Sequence, residues 1–228
     1  MKISVVIPAY NEAATIVQVV ERVRAVDLDK EIVIVDDASV DGTWDRLLEL
    51  KQRFDDLTVI RHEVNRGTGA ALRTGFGAAT GEIVVIQDAD LENDPAEFPK
   101  LTAPILAGEA DVVYGSRFLD NPELDRRSAS YVANRVLTWL TNVVSGSRLT
   151  DMETCSKVFR RHVLDGIEIK SDRFGFEPEF TVKLARNGVE IHEVPVRYAP
   201  RSAAEGKKVN WRDGVKAVVA ILWFRVFD

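Results

Sequence analysis

Ile83-Val84-Val85-Ile86-Gln87-Asp88-Ala89-Asp90 is the stretch around which this chain is organised. Four consecutive β-branched apolar residues read as a strand buried on both faces, and the carboxylates that follow stand where that strand leaves the core. Side chains alternate along extended backbone, so Asp88 and Asp90 point the same way and converge on one hard cation, Mg²⁺ or Mn²⁺. A metal-bound diphosphate is held in that manner. The competing reading is that Asp-Ala-Asp opens a loop and caps the helix beginning near Pro95.

The 228 residues suit one domain with a short appendage: a main unit over 1–210 and a terminal amphipathic helix over 211–228, packed on the domain or lying in a membrane surface. With 46% hydrophobic and 29% charged residues the composition is globular, and a net charge of −6 argues against a general nucleic-acid binder, which needs a basic footprint. A single cysteine, Cys155, excludes an internal disulfide framework and a cysteine-built zinc site, and reads as a small packed residue. Met1-Lys2 leads straight into an apolar strand with no secretory signal, so a cytoplasmic protein is expected, peripheral on the membrane if its substrate is a lipid.

Outward from the central stretch, strands alternate with helices. Ile3 to Ile7 reads as a strand stopped by Pro8, and Ile16, Val19, Val20, Val23 and Val26 follow at helical spacing. Ile32 to Val35 runs into Asp36-Asp37-Ala38-Ser39, and Asp41-Gly42-Thr43 starts a helix with Trp44, Leu47, Leu48 and Leu50. Thr58 to Ile60 is a short strand before Asn65-Arg66-Gly67-Thr68-Gly69 and an alanine-rich helix. Asp94-Pro95-Ala96-Glu97 marks a capped helix start, and Val112 to Tyr114 is another strand. This is an α/β pattern, a mostly parallel Rossmann-like sheet with helices on both faces, which binds ligands at the carboxyl ends of its strands. Further on, the spacing predicts a helix over Tyr131 to Val144 with Val132, Val136, Leu137, Leu140 and Val143 as its buried stripe and Trp139 in the core, a short apolar piece at Val158-Phe159, a helix around Glu177 to Ala185, and a strand alternating at Val194, Val196 and Tyr198. The last segment, with Trp211, Trp223, Phe224 and Phe227, is too short and too charged to span a bilayer.

Pro8-Ala9-Tyr10-Asn11-Glu12, Val35-Asp36-Asp37-Ala38-Ser39 with Asp41-Gly42-Thr43, and Asp88-Ala89-Asp90 together resemble the signatures of inverting family 2 glycosyltransferases with the GT-A fold. Gly115-Ser116-Arg117, Thr150-Asp151-Met152-Glu153-Thr154-Cys155, Gly175-Phe176-Glu177 and Val194-Pro195-Val196 look like the branch of dolichyl-phosphate mannose synthases and polyprenyl-phosphate glycosyltransferases. The resemblance covers essentially the whole chain. It implies that Pro8, Tyr10, Glu12, Val35 and Asp37 cradle the base and ribose of a nucleoside diphosphate sugar, that Asp88 and Asp90 bind the divalent cation with Ala89 lining the nucleotide, and that Glu92 is a further ligand where the mannose synthases commonly carry glutamine. Arg117, Arg201 and Lys207 are implied to grip phosphates, Arg127 is a further candidate for the acceptor phosphate, and Thr68 stands where many relatives place lysine. Asp151 and Glu153 are implied either to act as base on an acceptor hydroxyl or, with a lipid phosphate acceptor, only to orient it.

The expectation is therefore a metal-dependent inverting enzyme that moves a sugar from a GDP- or UDP-sugar to a polyprenyl or dolichyl phosphate at the membrane surface. A transferase to a hydroxyl acceptor, and a non-catalytic nucleotide-sugar binding domain, are the alternatives. Oligomeric state is not encoded in any visible pattern.

Overall fold

In the computed structural model, residues 1–120, 128–173, 175–200 and 211–226 are described. The first half alternates strictly: β1 (Ile3–Ala9), α1 (Ile16–Ala25), β2 (Lys30–Asp36), α2 (Thr43–Arg53), β3 (Leu57–Arg61), α3 (Thr68–Ala78), β4 (Ile83–Ile86) and α4 (Phe98–Leu106). Then come β5 (Val112–Ser116), α5 (Ala129–Ser145), β6 (Lys157–Arg160), α6 (Phe176–Arg186), β7 (Ile191–Pro195) and α7 (Trp211–Val226). The strands form one sheet in the order β3-β2-β1-β4-β6-β5-β7.

Pairing is parallel from β3 through β4 and again between β5 and β7, while β6 runs antiparallel to both β4 and β5. The short apolar piece expected at Val158-Phe159 is thus a central strand, too brief for its period to show. Because β6 is inverted, it begins at the edge where its neighbours end. The loop leading into it, Asp151 to Ser156, is therefore delivered to the carboxyl ends of β4 and β5.

Two apolar layers flank the sheet. One gathers Val19, Val20, Leu47 and Leu101 from α1, α2 and α4, and the other gathers Leu72, Leu137, Phe180 and Ile221 from α3, α5, α6 and α7. The terminal helix α7 belongs to the second layer: Ala217, Ile221 and Phe224 are buried at i, i+4, i+7 spacing. Phe224 therefore faces the core, whereas Trp223 beside it is exposed.

Of the stripe expected to bury α5, Leu137 is in the core and Leu140 packs against it, whereas Val132, Val136 and Val143, together with Trp139, are more than half exposed; the helix also buries Thr138 and Thr141. Polar residues face inward because they have partners there: Thr138 Oγ1 accepts the Met152 N–H at 3.1 Å, and Asn142 brackets Leu149 with two hydrogen bonds. Predicted strand residue Tyr198 lies beyond β7, in a lone bridge to Asn93.

The Gly67-Thr68-Gly69 turn is explained by close approach. Gly67 has φ +107°, and a Cβ on Gly69 would sit 2.1 Å from the Ser171 carbonyl oxygen. The start of α3 is docked against backbone, with the Ala70 N–H donating to Asp172 O. Replacement Gly69→Ala should therefore cost about 1–3 kcal/mol from overpacking, whereas Gly77→Ala on the same helix, with open space around it, should stabilise by up to about 1 kcal/mol. Denaturant midpoints of the two variants should move in opposite directions; movement in the same direction would show that the approach at residue 171 is not tight.

Candidate active site

The loops after β1, β2 and β4 meet at the carboxyl edge of the sheet, and each contains a non-glycine residue at positive φ: Asn11, Ala38 and Leu91. Such conformations cost energy and persist where surrounding bonds over-determine them. The first two loops are stitched together by Asn11 N–H to Ser39 Oγ (2.9 Å), Val40 N–H to Asn11 Oδ1 (2.9 Å), Glu12 N–H to Thr43 Oγ1 (2.8 Å) and Ala13 N–H to Asp41 Oδ2 (3.0 Å). Thr15 Oγ1 ties this pair to the third loop through the Ala89 carbonyl at 2.7 Å and also lies 3.0 Å from Glu12 Oε2. Gln87 closes that third loop on itself by donating to the carbonyls of Asp88 and Asn93.

Among the residues expected to hold the nucleotide, Tyr10 is exposed at the edge and Glu12 lies almost buried beside it. The side chains of Val35 and Ala89 are buried, Val35 against α3 at Gly75 and Ala89 in the layer that covers β1. Asp37 is turned inward. Its Oδ1 accepts from His62 Nδ1 (2.7 Å) and the Arg66 N–H (2.9 Å), and its Oδ2 from Asn65 Nδ2 (2.9 Å) and the Gly67 N–H (2.6 Å). With four protein donors on two oxygens, Asp37 shapes the turn into α3, and a ligand would have to displace one of them.

Asp88 and Asp90 do come together at the end of β4. Burial, then the neighbouring charge of Asp90, pushes the Asp88 carboxyl up to about 7, against a hydrogen bond from the Cys155 thiol. Asn93 Nδ2 adds a donor at 3.4 Å, while Glu177 and Glu92 add further negative charge. A divalent cation would relieve this excess, and two carboxylates leave the remaining positions of a Mg²⁺ or Mn²⁺ ion to phosphate oxygens and water. The acid pair thus fits the implied metal. Glu92 is not assembled with it into a three-ligand set: its Oε2 accepts the Tyr198 hydroxyl at 2.6 Å, and no described group of three His, Cys, Asp or Glu side chains is placed to enclose an ion.

Arg117 and Asp151, expected to grip phosphate and to meet the acceptor, grip each other. Nε and Nη2 of Arg117 donate to the two Asp151 oxygens at 2.7 Å each, and the Arg117 N–H adds a third bond at 3.0 Å. Burial alone would lower the guanidinium pKa, but Asp151 outweighs it and drives it upward. Glu193 on β7 fixes the same loop by accepting the Thr150 and Asp151 N–H groups. Lys157, fully buried, donates to the carbonyls of Met152 and Thr154 and sits 4.4 Å from the Tyr114 ring centroid. Glu153 has one oxygen withdrawn from water with no hydrogen-bond partner, and burial, then the Glu177 charge, raises its carboxyl to about 8. Glu177, Lys157, Glu193 and Tyr198 were not among the expected site residues. A lysine and a glutamate inside short apolar strands were the available signal for two of them. Arg127, Arg201 and Lys207 lie outside the described residues.

A family model described as "Glycosyl transferase family 2" matches residues 4–167. The chain belongs to glycosyl transferase family 2. It is 33% identical over 212 residues to an undecaprenyl-phosphate 4-deoxy-4-formamido-L-arabinose transferase of Proteus mirabilis, covering 90% of this chain but only 62% of that one. An uncharacterised protein of Methanocaldococcus jannaschii is 29% identical over 99% of this chain and 93% of its own. Among solved structures, glucosyl-3-phosphoglycerate synthase of Mycobacterium tuberculosis, in complex with Mn²⁺, UDP and phosphoglyceric acid, superposes with a TM-score of 0.75 at 23% identity over all of this chain and 79% of that one. The fold is accordingly GT-A, and the protein is a glycosyltransferase.

Two outcomes follow from the charges. A carboxyl whose folded pKa is raised binds protons more readily in the native state, so between about pH 4 and 7 the stability that Asp88 contributes falls as pH rises. Asp88→Asn should flatten that decline in metal-free protein and abolish the upward shift in melting temperature that Mn²⁺ gives the parent at pH 8; a variant still stabilised by Mn²⁺ would place the ion elsewhere. Asp151→Asn, which leaves Arg117 buried without its anion, should cost about 3–5 kcal/mol in urea unfolding, and Arg117→Met combined with Asp151→Leu should recover most of it. A single variant within about 1 kcal/mol of the parent would show the pair contributes no more than an exposed one.

Proposed function

We propose that this glycosyltransferase moves a sugar, with inversion, from a nucleoside diphosphate donor to a polyprenyl phosphate. The observation that carries the choice of acceptor is the state of the two carboxyls that could have served as base. Asp151 accepts three bonds from Arg117, which commits both of its oxygens, and burial with the Glu177 charge favours the protonated form of Glu153. Asp151 is therefore already engaged and not placed to act as base on a sugar hydroxyl, and a base at Glu153 would show as a rate that rises with its ionisation. A phosphate oxygen is already anionic and needs no base. The 33% identical relative acts, by its name, on undecaprenyl phosphate, which agrees with this reading.

In the proposed reaction an acceptor phosphate oxygen attacks C1 of the sugar from the face opposite the diphosphate. The new C1–O bond forms as the bond to the diphosphate breaks, and no proton leaves the acceptor. Tyr10 and Glu12 border the nucleotide, Asp37 shapes the turn beside it, and Pro8 lies under it in the last residues of β1. Asp88 and Asp90 would hold Mg²⁺ or Mn²⁺, which when bound supplies Lewis-acid stabilisation to the departing pyrophosphate. The donor complexes named for the Mycobacterium protein include both Mn²⁺ and Mg²⁺ with UDP. Arg117 acts through Asp151, holding the loop that carries Glu153 toward the acceptor. Arg127, Arg201 and Lys207 are proposed to offset the repulsion between the two phosphates.

Purified protein incubated with Mn²⁺ or Mg²⁺, a panel of radiolabelled GDP- and UDP-sugars and polyprenyl phosphate should give an organic-extractable labelled lipid. Its rate should not rise with a base-like ionisation near pH 7. Label found only in a water-soluble product would transfer the assignment to a hydroxyl acceptor such as phosphoglycerate, and donor binding without turnover on any acceptor would leave a binding domain.

A further inference from the structure

Beyond the end of β7, half-buried Tyr198 ties the loop after β4 to the rest of the carboxyl edge, and no step of the proposed transfer uses it. Its hydroxyl donates to Glu92 Oε2 at 2.6 Å, the Ala199 N–H donates to the Glu92 carbonyl at 3.0 Å, and the backbone of Asn93 bridges to Tyr198 itself. On the ring, the Arg117 guanidinium carbon lies 5.1 Å from the centroid. One side chain therefore touches both the acid loop and the arginine that holds Asp151. Contacts on ring, backbone and hydroxyl together fix where the O–H points.

Glu92 follows Asp90 by two residues, yet its Oε2 is bonded to Tyr198. Leu91 between them has φ +66°, which reverses the chain, and the Glu92 N–H meets Asp90 by donating to Oδ1 at 3.0 Å. A left-handed leucine is costly, and the bonds to residues 198 and 199 help to hold it there. The Glu92 charge still reaches Asp88 and adds to the negative excess around it. Burial, then the bond to Glu92, raises the Tyr198 pKa, so the phenol remains a donor near neutrality. Before the same carboxylate oxygen can serve a cation, it has to give that bond up. A hydrogen bond to a charged group corresponds to about tenfold or more in an equilibrium constant.

We propose that Tyr198 sets the affinity of the Asp88–Asp90 pair for its divalent cation by keeping a Glu92 oxygen from joining the two aspartates. This role rests on the acid pair being the seat of the ion, as proposed above. Tyr198 is a positioning residue, because it acts on the ion only through Glu92. Two carboxylates leave coordination positions for pyrophosphate oxygens, whereas a third would occupy one of them and strengthen binding of the ion without nucleotide. The tyrosine thereby keeps tight binding of the ion dependent on the donor's diphosphate.

The test is calorimetric titration of metal-free protein with Mn²⁺, in the absence of donor and acceptor. Tyr198→Phe, which keeps the ring on Arg117 and removes only the hydroxyl, should bind Mn²⁺ about tenfold more tightly than the parent. General damage to the loop would weaken binding, so the direction of the change separates the two causes. Adding Glu92→Gln to Tyr198→Phe should return the affinity to that of Glu92→Gln alone, and Tyr198→Leu, lacking ring and hydroxyl, should show the same gain as Tyr198→Phe. A Tyr198→Phe protein that binds Mn²⁺ no more tightly than the parent would overturn the proposal. So would a gain that survives Glu92→Gln, or one that appears only with Tyr198→Leu, because Glu92 or the hydroxyl would then not be its source. Asp88→Asn binding Mn²⁺ as tightly as the parent would overturn the acid-pair reading and this role with it; loss of binding in Asp88→Asn beside an unchanged Tyr198→Phe would sink the role of Tyr198 alone.

Discussion

Two carboxylates held side by side where a low-dielectric core ends repel one another, and the arrangement of the carboxyl edge follows from how that repulsion is contained. Asp88 emerges from β4, a strand buried on both faces, so it cannot retreat into water. Its neighbours add to the problem: Asp90, Glu92 and Glu177 all bring the same sign. The protein answers with weak neutral donors, the Asn93 amide and the Cys155 thiol, rather than with an arginine or lysine. An arginine beside Asp88 would have satisfied it permanently and left no electrostatic incentive to bind an ion. Meanwhile two cations near this edge, Arg117 and Lys157, are spent on Asp151 and on loop carbonyls. Among the described residues the surroundings of Asp88 are thereby kept short of positive charge.

That shortage would be destabilising without a rigid frame. The loops after β1, β2 and β4 tolerate positive φ at Asn11, Ala38 and Leu91 because side chains from one loop satisfy the backbone of the next. The antiparallel β6 matters for the same reason. Its inversion feeds the Asp151–Ser156 loop to the carboxyl edge where Asp88 stands, and Glu193 from β7 pins the start of that loop through the Thr150 and Asp151 N–H groups. Preorganisation of this kind means a bound substrate meets groups already in position, with little reorganisation left to do as charge develops.

Most of the fold was legible because each strand–helix unit of the first half carries its own period and its own turn residues, so local signals agreed with one another. β6 escaped because four residues show no period, and its direction depends on partners distant in sequence. The three motif loops pointed to the right edge of the sheet, but which way each acid faces was beyond the sequence. Asp37 and Asp88 both follow an apolar strand; one is saturated by His62, Asn65 and two backbone N–H groups, and the other is nearly bare. The donors to Asp37 lie 25 to 30 positions away, and the Cys155 thiol lies 67 from Asp88. Arg117 and Asp151, 34 residues apart, were read as two separate tools for the same reason.

Helix α5 shows why periodicity alone leaves the direction of a helix undetermined. Its sequence offers two faces that share Leu137 and Leu140, one adding Val132, Val136, Trp139 and Val143 and the other adding Thr138 and Thr141, and hydrophobicity favours burying the first. The fold buries the second because Thr138 and Asn142 carry hydrogen bonds that the Leu149–Met152 backbone needs, and a buried N–H left unmade costs more than an exposed valine. The polar face of α5 therefore serves the loop that carries Asp151 and Glu153, and the apolar face is turned outward as a consequence. Positioning Asp151 and presenting an apolar surface are two results of one rotation of the same helix. A change that turned α5 to hide its valines would release the loop that holds Asp151 against Arg117.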